Sequence, residues 1–160
     1  MRTYEIKSEV TVFAMDELDS QDRELVELAL KATDNSYSPY SQFCVGAALR
    51  LENGEVLSGS NQENASYPLG LCAERTAIFH AQHMHPDQDI TAIAIAARTE
   101  AGVFTRFPIP PCGACRQVML EVEDRYQRPM RILLYGRDGI HVVNSVKSLL
   151  PFQFVGESMK

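Results

Sequence analysis

Apolar residues at helical spacing mark three long helices along the chain. The first is predicted to begin at Asp19 or Ser20 and carries an acidic first turn, which favours a helix N-terminus. Its apolar positions recur every three or four residues and would share one buried face: Leu25, Leu28, Ala29 and Ala32. Two further helices are predicted over 72–84 and 112–126, and a last helical turn or two over 145–150.

Strands are predicted where apolar residues run together. Phe43 to Leu51 has strand character, and Asn53-Gly54 after it predicts a type I′ hairpin turn with positive φ at both residues. Ile90 to Ala97 is apolar nearly throughout, which is typical of a strand covered on both faces. Three shorter strands complete the prediction: 56–60, 131–135 and 140–143.

The order of these elements, α-β-β-α-β-α-β-β-α, predicts an α/β fold. We expect three α/β/α layers around a mixed, largely parallel five-stranded sheet, because strands alternate with helices that cross over it. Residues 19–160 are expected to form a single domain, since no repeat or linker interrupts them. Residues 1–18 show loose alternation, which predicts an N-terminal extension that adds an edge strand.

Charge and composition exclude several classes of partner. The formal net charge is −6 and the basic residues are scattered, whereas a nucleic-acid-binding surface needs a basic stripe. No run of eighteen apolar residues occurs, so no membrane-spanning segment is predicted. The first residues lack the apolar region of a signal peptide. We therefore expect a cytoplasmic protein with neither nucleic-acid nor membrane partners.

Three of the four cysteines fall in two motifs that suit a metal. Cys72 opens the second helix, and Cys112 and Cys115 open the third, 40 residues further along. A helix N-terminus stabilises a thiolate, and two helix heads at the ends of parallel strands would bring the three sulfurs together. Three thiolates can hold Zn²⁺ and leave one coordination position for water. One zinc ion per chain is therefore predicted.

Charged neighbours of the cysteines point to catalysis. Glu74 follows Cys72 by two residues, and a structural zinc site normally has four protein ligands and needs no carboxyl beside it. A carboxyl next to zinc-bound water can accept and return a proton. Arg75 and Arg116 adjoin the two motifs and could hydrogen-bond to the thiolates, although a surface ion pair is the alternative for each.

The pairing of Cys-x-Glu with Pro-Cys-x-x-Cys is typical of zinc deaminases, and the chain resembles the short, single-domain, homotetrameric cytidine deaminases. The resemblance runs from about Leu25 to Phe154 and rests on five motifs in order. They are Tyr40-Ser41-x-Phe43-x-Val45-Gly46-Ala47-Ala48, Asn61-x-Glu63-Asn64-Ala65, Cys72-Ala73-Glu74-Arg75-Thr76-Ala77, Pro111-Cys112-Gly113-Ala114-Cys115-Arg116-Gln117 and Leu149-Leu150-Pro151-x-x-Phe154.

The resemblance implies hydrolytic deamination of cytidine and deoxycytidine to uridine and deoxyuridine, as in pyrimidine salvage. Cys72, Cys112 and Cys115 would bind zinc. Glu74 would deprotonate the zinc water, protonate ring N3 as hydroxide attacks C4, and then protonate the departing ammonia.

The resemblance also implies a set of substrate contacts. Asn61 and Glu63 would hydrogen-bond the ribose hydroxyls, and Phe43 would pack on the nucleoside. The backbone of Ala73 and Cys112 would hold the polar edge of the base. Phe154 would stack on the base in a neighbouring subunit of a homotetramer, unless Phe152 takes that place.

Other hypotheses remain open at this point. Cys44 could complete a structural Cys₄ zinc site, or Cys112 and Cys115 could form a redox dithiol. A deaminase of a related aminopyrimidine nucleoside, such as the antibiotic blasticidin S, is a third alternative. Preference between ribose and deoxyribose is not predicted.

Overall fold

The apolar runs of the sequence form one sheet with helices on both faces. The computed structural model describes residues 1–159. Its strands are β1 (Thr11–Phe13), β2 (Phe43–Leu51), β3 (Val56–Ser60), β4 (Ile90–Thr99), β5 (Arg131–Leu134) and β6 (Ile140–Val143). Its α-helices are α1 (Ser20–Ala32), α2 (Ala73–Met84) and α3 (Gly113–Tyr126), with a 3₁₀ turn at Val146–Leu149. The predicted α/β class is confirmed.

The sheet differs from the prediction in strand number and direction. Within residues 1–159 it has six strands in the order β1-β6-β5-β4-β2-β3, not five. Among the strand pairings of this described part of the chain, β4–β5 is parallel and the other four are antiparallel. The expectation of a largely parallel sheet was therefore wrong. Two hairpins, β2–β3 and β5–β6, contribute antiparallel pairs because directly connected neighbours must reverse direction.

Strand β4 separates two packed layers by the alternation of its side chains. Ile93 and Ile95 join the core cluster under α2 and α3, whereas three alanines of β4, at alternate positions, join the cluster under α1. Successive residues of a strand point to opposite faces, so one strand supplies both clusters. The small residues let α1 approach closely: these are Ala48, Ala92, Ala94 and Ala96. The three-layer arrangement follows from this alternation.

Contacts between neighbouring residues determine where α1 begins and how the β2–β3 hairpin turns. The Asp19 carboxylate accepts the N–H of Asp22 at 2.8 Å and caps α1. In the β2–β3 hairpin, Gly54 has φ 87°, but Asn53 does not adopt positive φ. The loop instead consists of three residues, 52–54, and is closed by a hydrogen bond from the Leu51 N–H to the Glu55 carbonyl. Gly54 takes the left-handed position of this loop. The predicted type I′ turn is therefore corrected to this longer form.

The direction of the strands brings the N-termini of α2 and α3 to the same end of the sheet. Strand β3 is antiparallel to β2, and β2 is antiparallel to β4, so β3 and β4 run in the same direction. Helix α2 follows β3, and α3 follows β4. Both helices therefore start at the carboxyl ends of strands that point the same way.

The N-terminal segment supplies the outermost strand of the sheet, β1, on the side away from β3. Strand β1 pairs with β6 in antiparallel register, and Val12 lies opposite His141. Residues 1–10 are exposed and without regular secondary structure, and Ser8 Oγ donates to the carbonyl of Ser148 at 2.6 Å. No helix within residues 1–159 is long and apolar enough to cross a bilayer.

Candidate functional site

Three cysteine sulfurs meet where α2 and α3 begin. Cys72 and Cys112 are the residues immediately before the two helices, and Cys115 lies in the first turn of α3. The Cys72 and Cys112 sulfurs are 3.9 Å apart, and those of Cys112 and Cys115 are 3.4 Å apart. All three lie within 4.8 Å of one another. The structure thus brings together the three predicted ligands.

These sulfurs fit a zinc ion by chemistry and by spacing. With Zn–S bonds of about 2.3 Å, tetrahedral geometry places sulfurs about 3.8 Å apart, close to the separations here. No other histidine, cysteine or carboxylate of the described chain joins the group. Cys44 is buried elsewhere, with its sulfur 3.4 Å from Ser38 Oγ. The donor set is three thiolates with one position left for another ligand.

Hydrogen bonds among the three sulfurs shift the pKa values of their thiols. A hydrogen bond from Cys115 is the main factor that lowers the pKa of Cys72 to about 5, and Arg75 assists it. The same contact, together with burial, raises the pKa of Cys115. One thiolate is therefore already favoured, and a divalent cation would replace the shared protons.

Glu74 lies beside the sulfurs with its side chain almost completely buried. Only 4% of its surface is exposed, yet it lines the same pocket as Cys72 and Cys112. Burial raises the pKa of the Glu74 carboxyl above its ordinary value, and the negative charge of Cys72 adds to this effect. A raised pKa makes the carboxyl hold a proton more readily than a free one, which suits a group that must take up a proton and return it.

The two arginines beside the motifs have different partners. Arg75 Nη2 lies 3.7 Å from Cys72 Sγ and 3.5 Å from the carbonyl of Gly70. Within residues 1–159, Arg116 shows no hydrogen bond to a sulfur. Its guanidinium donates to the carbonyls of Pro111 at 2.8 Å and Leu149 at 2.6 Å. The hydrogen bond from Arg116 to a thiolate, raised as one possibility from its position in the motif, is therefore not observed, because its Nε and Nη1 point at backbone carbonyls instead.

A pocket of about 460 Å³ opens above the sulfurs and Glu74. It lies between the head of α2, the loop before α3 and the loop that follows β3. Besides Cys72, Glu74 and Cys112, its walls include Phe43, Asn61, Glu63, Tyr67, Ile109 and Pro110. Three residues predicted to contact substrate from the resemblance therefore line this pocket: Phe43, Asn61 and Glu63.

Asn61 is held firmly by its neighbours at the pocket wall. Its amide oxygen accepts the N–H of Val45 at 2.8 Å and the hydroxyl of Ser36 at 2.6 Å. Its amide nitrogen donates to the carbonyl of Phe43 at 2.9 Å. These partners fix which end of the amide carries oxygen and leave one N–H free. Asn61 thus connects three segments of the pocket wall.

Glu63 points one carboxylate oxygen at the backbone of the 40–41 loop. Its Oε2 accepts the N–H groups of Tyr40 at 2.9 Å and Ser41 at 3.2 Å. Hydrogen bonds from Ser41 and from these N–H groups hold the pKa of Glu63 below its ordinary value. The Glu63 carboxylate is thus held at the pocket wall by the 40–41 loop.

Two other residues predicted to contact substrate, Ala73 and Phe154, are not among the residues that line the pocket of this chain. The side chain of Ala73 is fully buried in the core between the sheet and α2. Phe152 and Phe154 are 80% and 57% exposed, and neither lines the pocket of its own chain. The backbone carbonyl of Phe154 accepts the side-chain amide of Gln117 at 2.8 Å.

Sequence reasoning assigned no role to several pocket residues. Tyr67 packs edge-on against Tyr40 with ring centroids 5.5 Å apart, and Ile109 and Pro110 form the wall before Cys112. All belong to loops that lead directly into a cysteine motif. That position in the chain could have identified them, because loops beside a metal supply its surroundings.

Comparisons with known proteins agree with this site. Residues 19–127 match the family model described as the cytidine and deoxycytidylate deaminase zinc-binding region. A cytidine deaminase of Halalkalibacterium halodurans is 43% identical over 135 residues, which cover 84% of this chain and 95% of the relative. A probable cytidine deaminase of Dictyostelium discoideum is 35% identical, with 86% and 88% of the two chains covered.

Solved structures give the same result at the level of the fold. The crystal structure of cytidine deaminase from Burkholderia pseudomallei matches with a TM-score of 0.71 at 42% identity, covering 82% of this chain and 97% of that one. The enzyme from Mycobacterium tuberculosis matches with a TM-score of 0.65 at 31% identity, covering 86% and 99%.

Proposed function

Because the chain belongs to the cytidine and deoxycytidylate deaminase family, we propose that it catalyses the zinc-dependent hydrolytic deamination of cytidine and deoxycytidine. The products are uridine or deoxyuridine and ammonia. Cys72, Cys112 and Cys115 hold one zinc ion per chain. No observation favours an antibiotic nucleoside such as blasticidin S over cytidine.

The observation that carries the proposal is a three-sulfur site beside a buried carboxyl at one pocket. A structural zinc site would need a fourth protein ligand. Cys44, the remaining cysteine, is engaged with Ser38 instead. With three protein ligands, a bound zinc ion would keep one position for water. Glu74 lines the pocket together with two of the sulfurs and could exchange protons with that water.

Glu74 carries the protons in the proposed reaction. When bound, zinc supplies a Lewis acid that lowers the pKa of a coordinated water to roughly 7. The Glu74 carboxylate takes a proton from the attacking water and delivers it to ring N3 of the base. It then takes the second proton and delivers it to the departing ammonia. The raised pKa of buried Glu74 suits this exchange, because the group must release each proton that it accepts.

The pocket walls would orient a free nucleoside. The Glu63 carboxylate and the Asn61 amide would hydrogen-bond the ribose hydroxyls, and Phe43 would offer an apolar surface to the substrate. The support is that all three residues line the pocket. The backbone N–H of Ala73, at the first position of α2, has no carbonyl partner within the helix and would suit the polar edge of the base. The negative charge of Glu63 would repel a 5′-phosphate.

We also propose that the chain assembles as a homotetramer in the cytoplasm. Phe154 is exposed in the single chain and absent from its own pocket, as expected of a residue that completes a neighbour's site. Free thiols suit a reducing compartment. Mass measurement of the native assembly tests the oligomer, and a monomeric enzyme with full activity would exclude shared sites.

The decisive experiment follows cytidine by absorbance and ammonia release with zinc-loaded protein. We expect turnover by the wild type and a rate about 10² to 10⁴ times lower for Glu74→Gln, with zinc content unchanged. Glu121→Gln is the matched control, because Glu121 is exposed on α3 and makes no contact with the site. Failure of the zinc-loaded wild type to convert either nucleoside would overturn the proposal.

A further inference from the structure

Helix α3 holds the C-terminal segment 145–154 by side chains that bind backbone groups. Glu123, buried near the end of the helix, accepts the N–H of Val146 and the hydroxyl of Ser145, each at 2.8 Å. Nearer the head of the helix, Arg116 donates to the carbonyl of Leu149 and Gln117 to that of Phe154. The segment therefore follows the helix back toward the metal site.

Arg116 joins this segment to the loop that carries a metal ligand. Its Nε donates to the carbonyl of Pro111, one residue before Cys112, while its Nη1 donates to Leu149. One planar guanidinium thus connects two backbone segments whose carbonyl groups, of Pro111 and Leu149, are 38 residues apart in sequence. A lysine offers a single nitrogen at this position and could not form both bonds in this geometry.

Gln117 fixes the end of the segment at Phe154. Its side-chain amide donates to the Phe154 carbonyl at 2.8 Å, and it thereby holds the backbone of a residue that is 57% exposed. Phe152 is more exposed, at 80%, and its backbone has the left-handed φ of 54°. The chain thus turns at Phe152 and is fastened again at Phe154, which leaves the Phe154 ring free while its backbone is fixed.

We propose that Arg116 and Gln117 are positioning residues that set the direction in which the Phe154 ring leaves the chain. The inference rests on the proposed function, in which Phe154 enters the pocket of a neighbouring copy. It selects Phe154 over Phe152 as the stacking aromatic. It also implies that one guanidinium links the loop before Cys112 to the aromatic residue that serves another copy's pocket.

The test separates the position of the tail from catalysis. Gln117→Glu removes the donor and places a carboxylate against the Phe154 carbonyl, and Arg116→Lys removes the bridge while keeping the charge. We expect severalfold faster hydrogen exchange in peptides covering 149–159. We also expect KM for cytidine to rise about five- to twentyfold, the effect of losing roughly one well-placed contact, while kcat and zinc content change less than twofold.

A double-mutant cycle identifies the aromatic residue. If Gln117 acts through Phe154, then Gln117→Glu added to Phe154→Ala raises KM little beyond Phe154→Ala alone. Added to Phe152→Ala, it should raise KM by its full factor. Full additivity with Phe154→Ala would overturn the proposal, and so would unchanged exchange in 149–159. Glu121→Gln, on the same helix, serves as the control and should change neither quantity.

The two measurements also separate this inference from the proposed function. Hydrogen exchange needs no turnover, so it tests the attachment of the tail even if the wild type leaves cytidine intact. Such inactivity would overturn the proposed function. Faster exchange with unchanged KM in an active enzyme would overturn the role of Arg116 and Gln117 and leave the deaminase intact.

Discussion

The amide oxygen of Asn61 accepts the backbone N–H of Val45 at 2.8 Å, across the wall of the pocket. With its bonds to Ser36 and Phe43, this side chain fastens the loop after α1 and strand β2 to the loop after β3. The contact with substrate that we propose for Asn61 would thus be made by a group that also maintains the pocket.

Asn61→Ala should therefore reduce both stability and activity. Three hydrogen bonds are lost, each with a net contribution of about 1 kcal/mol, so the free energy of unfolding should fall by about 2 kcal/mol or more. Urea unfolding measures this loss, and kcat/KM for cytidine should fall in the same variant. Lower activity with unchanged stability would indicate that Asn61 contacts only substrate. Asn64→Ala, in the same loop, removes a single hydrogen bond at an exposed position, from the Ser66 N–H, and should lose correspondingly less stability.

Arg75→Met should weaken zinc binding. The variant loses the donor that lies 3.7 Å from the Cys72 sulfur, while methionine retains similar bulk. Loss of such a partner typically lowers metal affinity about 10- to 100-fold. Competition with a chelator measures the affinity. Arg125→Met, at an exposed position of α3, should bind zinc as the wild type does, and equal affinities in both variants would contradict the role of Arg75.

Cys44→Ser should retain one zinc ion per chain. The Cys44 sulfur lies beside Ser38 and outside the three-sulfur group. Elemental analysis of purified protein gives the metal content, with Cys115→Ser as the variant expected to lose zinc. Zinc loss on replacing Cys44 would instead restore the hypothesis of a structural four-cysteine site. Metal-free wild type that cycles reversibly between dithiol and disulfide would support the redox hypothesis.

Gly59→Ala should destabilise the fold and disturb the metal site. An added Cβ would lie 2.6 Å from the Ala77 nitrogen and 2.9 Å from the Ala73 carbonyl oxygen, so α2 would have to move off the sheet. Overpacking of this kind costs about 1–3 kcal/mol. Because α2 carries Glu74 and follows Cys72, zinc affinity should fall as well.

Two other glycines provide the comparison for Gly59. Gly46→Ala would clash with α1 on the other face, so it should lower the melting temperature and spare zinc affinity more. At Gly113 nothing lies within 4 Å of an added Cβ, so Gly113→Ala should leave stability unchanged or slightly higher. Thermal unfolding ranks the three variants, and a stable Gly59→Ala would contradict the close approach of α2.

Asp89 should make stability depend on pH. Burial raises the pKa of its carboxyl above the ordinary value, against the opposing effect of Arg128. The carboxyl thus contributes stability when protonated, below its unfolded pKa of about 3.9, and loses it as pH rises through the higher folded pKa. Asp89→Asn should gain stability relative to the wild type as pH increases from about 4 to 8.

Urea unfolding at several pH values measures this difference. Asp87→Asn changes an exposed carboxylate two residues away and is the control. Its stability should stay parallel to that of the wild type across the range. Parallel curves for Asp89→Asn would show that the carboxyl carries no such penalty in the folded protein.

Local patterns predicted the elements of the fold better than their directions. The bounds of β2, β3 and β6 and the start of α3 lie within about a residue of the prediction, because alternation, turns and helix caps are encoded by neighbouring residues. The pairing of β2 with β4 joins segments that are about 45 residues apart, and no local pattern specifies its direction. Hence the sheet was wrongly expected to be largely parallel.

The same distinction holds at the site. Cys72, Cys112, Cys115 and Glu74 could be chosen from spacing and residue chemistry, since a metal needs particular donors wherever the chain places them. The partners of Arg116 and Asn61 could not, because a side chain bonds to whichever backbone group packing brings near it. Both turned out to bind carbonyl groups of distant segments.

The short strand β1 has a consequence for how a minimal domain should be cut. The family model begins at residue 19, and a protein trimmed there would lose Thr11–Phe13. The outer edge of β6, Ile140–Val143, would then present unpaired N–H and carbonyl groups to solvent. Such an edge is a template for pairing with another chain. For this protein, solubility during production therefore argues for keeping the segment that the family boundary leaves out.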